Sequence, residues 1–136
     1  MSDRGDEDVC PTTERYAIVA GVTFPLEALS VAVTARAEIW SRLAMSWRMR
    51  PVHPNHGKPV VGVGLDSAKW LVDITIWSTG EAELGTIRLT DDRTVNKYYE
   101  LACRDDLEAL LDELIELIVH NRLPSAAVAG RPGIQL

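Results

Sequence analysis

Hydrophobic and polar residues alternate most cleanly between Lys69 and Leu84, KWLVDITIWSTGEAEL. Trp70, Val72, Ile74 and Ile76 fall on one face of an extended chain and Leu71, Asp73, Thr75 and Trp77 on the other, the period of two of a half-buried strand. Ser78-Thr79-Gly80 breaks the run, and Glu81 to Leu89 resumes in strand-compatible residues, which predicts an antiparallel hairpin. Upstream, Val61, Val63 and Leu65 share one face of a strand over 60–66; Gly62 and Gly64 on the other face leave room for a close neighbour, expected to be a helix. Downstream, Thr90-Asp91-Asp92-Arg93 reads as a turn before a strand over 94–103, with Val95, Tyr99, Leu101 and Cys103 on one side. Ala82 and Leu84 share a parity that Ile87 and Leu89 do not, so a bulge at Gly85 is expected.

A helical period governs the flanks. Leu26, Leu29, Val33, Ala37, Trp40, Ala44 and Trp47 repeat at spacings of three and four, which predicts one long helix over 25–48, capped by Thr23 with Pro25 in its first turn. Arg42, Arg48 and Arg50 then cluster at its far end, where the macrodipole favours positive charge. Met49 to Pro59, MRPVHPNHGKP, holds three prolines and reads as a loop. A second helix over 105–120 starts with Asp105 and Glu108 as a capping box and ends near Asn121. It buries Leu107, Leu110, Leu111, Leu114, Leu117 and Ile118. Tyr16 to Val22 is a short apolar run favouring strand, residues 1–13 read as a disordered acidic arm, and residues 123–136 as a flexible tail. The expectation is a single α+β domain over 14–122: a four- or five-stranded, mainly antiparallel meander with a long N-terminal and a C-terminal helix packed on one face.

The chain is long enough for one core, its 136 residues being 46% hydrophobic. A formal charge of −6 and a pI near 5.0 argue against a nucleic-acid or anionic-membrane surface and favour a basic partner. Cys10 and Cys103 form no CxxC pattern, which fits a reduced interior. The acidic start MSDRGDEDVC lacks the basic and apolar regions of an export signal, and no apolar run approaches the roughly 20 residues of a bilayer span. A cytoplasmic protein is expected.

Candidate chemistry is sparse. His53 and His56 stand three apart in the Pro-rich loop, but no Cys or carboxylate lies close by in sequence to complete a zinc set. Gly62 to Ser67 holds half of a dinucleotide fingerprint and does not open a helix. No serine lies in a nucleophile elbow, and Cys103 reads as a small buried hydrophobe. No metal, cofactor or catalytic residue is expected. Asp73 and Trp77 share the more polar face of the central strand, which is either exposed or covered by a helix. If exposed, an indole beside Asp73, Glu81 and Glu83 is a candidate binding anchor. The acidic helix face of Asp112, Glu113 and Glu116 is the alternative surface, or simply a solvated one.

The run Ile76-Trp77-Ser78-Thr79-Gly80-Glu81-Ala82-Glu83-Leu84, preceded by Lys58-Pro59 and followed by a polar turn, Tyr98-Tyr99-Glu100-Leu101 and an acidic Leu-rich helix, gives residues 58–119 a family likeness. This stretch resembles the TriTu immunity proteins of bacterial polymorphic toxin systems. The resemblance implies a non-enzymatic cytosolic antidote that binds and silences a cognate toxin or effector protein, expected to be basic. It supplies no catalytic residues. The competing expectations are a secretion chaperone for an effector and a small metal-dependent enzyme using His53 and His56; a homodimer is left open.

Overall fold

The computed structural model describes residues 23–130. The acidic arm and the run from Tyr16 to Val22 therefore lie outside the described residues. Chain order is α1 (Glu27–Ala35), α2 (Ala37–Arg42), β1 (Ser46–His53), a 3-10 turn (Asn55–Gly57), β2 (Val60–Asp66), β3 (Trp70–Trp77), β4 (Glu81–Arg88), β5 (Arg93–Glu100), α3 (Arg104–His120) and β6 (Val128–Gly130). All six strands form one antiparallel meander in the order β1-β2-β3-β4-β5-β6.

The period of two in β3 sets both faces of the sheet. Trp70, Val72, Ile74 and Ile76 are buried; Trp70 pairs with Arg88 of β4, and Val72, Ile74 and Ile76 stand in register with Leu65, Val63 and Val61 of β2 and with Thr86, Leu84 and Ala82 of β4. These rows form one core with Leu29, Val33 and Trp40 of the N-terminal helices and Leu107, Leu110, Leu111, Leu114 and Leu117 of α3. Both helical segments thus cover the same face, as the apolar stripes predict.

The N-terminal helix is shorter and broken. Arg36, at φ −103° and ψ 19°, separates α1 from α2, and Ala44 enters the left-handed region at φ 59°, after which the chain becomes β1. Trp40 holds the break together: its buried Nε1 donates to the Val33 carbonyl at 2.9 Å. Arg36 crosses to α3, its Nη2 lying 2.8 Å from Glu108 and 3.0 Å from Asp112. Trp47, Arg48 and Arg50 are therefore strand residues, not a helix end. Thr23 is not the cap; Leu26 occupies that position without a side-chain bond, and a Pro25 turn leads into the helix.

The Pro-rich segment is also not all loop. β1 runs to His53 through Pro51 because it is the sheet's edge, where a missing amide hydrogen costs no ladder bond, and its pairing slips between Arg50 and His53. No bulge occurs at Gly85, which pairs regularly with Asp73 and Asn96. Thr86 instead takes the inward position between Leu84 and Arg88, 2% exposed, its hydroxyl donating to the Val95 carbonyl at 2.9 Å. Ile87 then faces outward.

At α3, Cys103 is the cap position, and Asp106 rather than Glu108 reaches back, accepting from the Ala102 amide at 2.7 Å; Asp105 makes no cap bond. Asn121 ends the helix in the left-handed conformation, with Arg122 N donating to Glu116 O and Asn121 N to Leu117 O. Within the expected tail, Val128–Gly130 pairs with Thr94–Asn96. The free edge of β5 supplies the partners, so this docking needs no apolar side chain and leaves Val128 70% exposed.

Cys103 is fully buried, in line with its reading as a small buried hydrophobe, but it is disulfide-bonded, which removes the support that the cysteine pattern lent to a reduced interior. Cys10, the other cysteine of the chain, lies outside the described residues. Among the described residues no helix is long and apolar enough to cross a membrane.

Candidate interaction face

No described helix packs on the second face of the sheet, and strand register makes it readable as rows. Trp77 extends the row beyond the Ile76–Ala82 pair beside Glu81, and Glu81 pairs with Glu100. The next row is Arg50, Gly62, Thr75, Glu83 and Tyr98; the next is Arg48, Gly64, Asp73, Gly85, Asn96 and Val128; the last includes Asp66, Leu71, Ile87 and Thr94. Thus Asp73, Trp77, Glu81 and Glu83 share one face that no described helix covers, with Asp73 and Glu83 exposed and Trp77 and Glu81 half-buried.

The hairpin turn that places Trp77 and Glu81 depends on Gly80. Its φ is +100°, its amide donates to the Trp77 carbonyl at 2.8 Å, and a Cβ there would meet the Leu101 carbonyl oxygen at 2.6 Å. Lys58 crosses from the 3-10 turn, its Nζ lying 3.2 Å from Glu81 Oε1 and 5.9 Å from the Trp77 ring centre. The Thr79 hydroxyl, which donates to Glu81, and then Lys58 hold the Glu81 carboxyl below the usual Glu range.

Asp73 is already engaged. Arg50 donates to its two oxygens at 2.6 and 3.3 Å and to Thr75 Oγ1 at 3.3 Å, while the Thr75 hydroxyl donates to Asp73 at 3.1 Å. The guanidinium lies over Gly62, where a Cβ would fall 2.0 Å from Nη2. The close neighbour that Gly62 admits is therefore an arginine on the open face, not the long helix. With both partners about half exposed, at 47 and 56%, this pair orders the face more than it stabilises the fold.

Each carboxylate of the alternative surface on α3 has a partner within the molecule, although Asp112 stays 68% exposed. Asp112 bonds Arg36 at 3.0 Å, Glu116 lies 2.5 Å from Arg122, and Glu113 accepts from Lys97 at 3.0 Å and from the Tyr99 hydroxyl at 2.7 Å. Burial first, and then Glu113, push the Tyr99 phenol far above its ordinary range. These carboxylates tie α3 to α1, to β5 and to the chain that follows it.

His53 Nδ1 accepts from the Asn55 amide at 2.9 Å, and His56 sits at φ 55° in the exposed 3-10 turn. Among the described residues no group of three or more His, Cys, Asp or Glu is placed to hold a metal ion.

Tyr98, Glu100, Arg48 and Arg50 complete the face but were not singled out for it by the sequence. Tyr98 had a signal: its parity opposes that of Val95 and Tyr99. Arg48 and Arg50 had none, since the pattern put them on a helix. Comparison with protein-family models, with curated proteins and with solved structures finds no match for this chain.

Proposed function

We propose that the protein is an immunity protein that binds and blocks one cognate bacterial toxin without catalysing a reaction, using the uncovered face of its sheet. The observation that carries this reading is the row arrangement of that face: the Trp77 indole stands beside Glu81, Glu100 lies across from Glu81 on the next strand, Glu83 lies in the adjoining row, and no described helix lies over them. An aromatic anchor ringed by charge is the arrangement that dominates many binding interfaces, and the carboxylates suit a basic toxin surface reached by electrostatic steering. The likeness of residues 58–119 to TriTu immunity proteins supplies the biological class. That likeness puts the site of action in the cytoplasm of the producing cell, where a Cys103 disulfide is expected to be reduced. The described face contains no cysteine. The test is growth: this chain, expressed with the toxin encoded next to it, restores growth, and purified protein binds that toxin domain. Growth arrest despite soluble protein rejects the reading.

A further inference from the structure

On the open face, Gly64 and Gly85 flank Asp73 in a single row, so the sheet's backbone lies bare on either side of that carboxylate. Two depressions result, of about 530 and 460 Å³, and both are lined by Asp73, Gly85 and Asn96. They form one trough running across the strands. Its second half is bounded by Asp73 and Glu83, by Tyr98, 59% exposed, and by Val128, 70% exposed. Glu83 makes no ion pair or hydrogen bond through its side chain among the described residues, whereas Asp73 is held upright by Arg50 and Thr75. Glu81 and Glu100 stand directly opposite one another in the row beyond. Lys58 already offsets the Glu81 charge at 3.2 Å, whereas Glu100 makes no ion pair among the described residues.

Resting on the immunity reading for its biological setting, we propose that this half-trough seats an arginine-bearing extended segment of a basic protein partner. The guanidinium lies between Asp73 and Glu83, and its aliphatic stem passes over Gly85 beside the Tyr98 ring. The chemistry agrees at each point. The Glu83 carboxylate offers a guanidinium two parallel bonds, Asp73, already paired with Arg50, adds only its remaining acceptor capacity, a tyrosine face attracts a cation, and Gly85 alone of the β4 residues on this face lets a long stem approach the backbone. Arg50 is the positioning residue: it fixes the Asp73 rotamer, so that less order must be imposed on binding.

The probe is an acetylated, amidated octapeptide of alternating Arg and Ser, compared with its Glu-Ser counterpart by amide chemical shifts of the protein. The Arg peptide is expected to shift the amides of Glu83, Gly85, Asn96 and Tyr98, weakly at physiological salt and more tightly at low salt. Gly85→Val fills the trough. Its Cβ approaches only the exposed Asn96 side chain, at 3.2 Å, and it should weaken the peptide about tenfold or more, as should Glu83→Gln. Gly64→Val, whose nearest neighbour is 3.9 Å away, fills the other half and should leave affinity within about twofold. If Gly85→Val fails to fold, Glu83→Gln and the wild-type shift map decide alone. Shifts confined to Asp112 and Glu116, equal binding of the Glu peptide, or no shift at all overturn the proposal. A trough-filled variant that still protects cells from the toxin overturns it while sparing the immunity reading. A wild-type chain that binds the Arg peptide but neutralises no toxin rejects that reading and leaves the trough in place.

Discussion

Replacing Gly80 with alanine should cost about 2–4 kcal/mol, and two other glycines separate the causes. At φ +100° an L-residue pays about 1–2 kcal/mol for the left-handed region. The new Cβ would also stand 2.6 Å from the Leu101 carbonyl oxygen, and relieving that contact pulls apart the pair in which Leu101 N donates to Gly80 O at 2.7 Å. A buried backbone bond of this kind contributes about 1 kcal/mol, and more if a group is left without a partner. Gly57 has a similar φ of +93° with nothing near its Cβ position, so Gly57→Ala should cost the conformational part alone, about 1 kcal/mol. Gly64→Ala has neither strain nor crowding and should be neutral or slightly stabilising, because all three changes restrict the unfolded chain equally. Urea unfolding followed by tryptophan fluorescence gives the three values on one scale, against a total stability of about 5–15 kcal/mol. If Gly80→Ala costs no more than Gly57→Ala, the Leu101 contact is not a constraint and the account of the turn is wrong.

Other consequences test the packing and the charges. Trp40→Phe should destabilise by about 2 kcal/mol, since it empties part of a fully buried site and removes the donor to Val33 O; a value below about 0.5 would mean that the helix break is held elsewhere. Tyr99→Phe should cost about 1 kcal/mol at neutral pH through the lost bond to Glu113. Because the folded state raises the Tyr99 pKa, wild-type stability should fall as pH rises above about 10, where the unfolded phenol ionises, and the variant should lack that part of the loss. Glu81 behaves oppositely. Its carboxyl is depressed in the fold, so its contribution is present above the ordinary Glu range and is lost as pH falls through the lowered value. An NMR titration should show a low midpoint that rises with Thr79→Val and less with Lys58→Met, and a midpoint unmoved by either would remove that assignment.

What could be read in the sequence divides by whether a pattern or a register carries it. The parity of Trp70 to Trp77 was enough to define β3, its buried face and the company of Asp73 with Trp77, because alternation is local. The N-terminal region misled for the same reason. Trp40, Ala44 and Trp47 keep helical spacing across a point where Ala44 turns left-handed and the chain changes to strand. Thr86 broke the hydrophobic parity of β4 because a hydroxyl satisfied by Val95 O can occupy a core position, which suggested a bulge that the register does not contain. β6 left no pattern at all, since Val128–Gly130 docks through its backbone. At the face, Glu81 and Glu83 could be placed beside Trp77 from the hairpin alone. Tyr98 and Glu100 needed the register of β5, and the Arg50–Asp73 pair needed that of β1, both set by tertiary pairing.

The central claim is that the open sheet face, not α3, meets the toxin, and affinity of two variants for the toxin domain tests it most directly. Trp77→Ala removes the half-buried indole; Asp112→Asn with Glu116→Gln removes charge from α3 without setting a new cation against Arg36 or Arg122. Calorimetric binding should show Trp77→Ala weaker by about 2 kcal/mol or more, with the helix variant within about 0.5 kcal/mol of the parent. Unfolding curves confirm in parallel that both variants are folded. Unchanged affinity in folded Trp77→Ala together with a large loss in the helix variant would contradict the account.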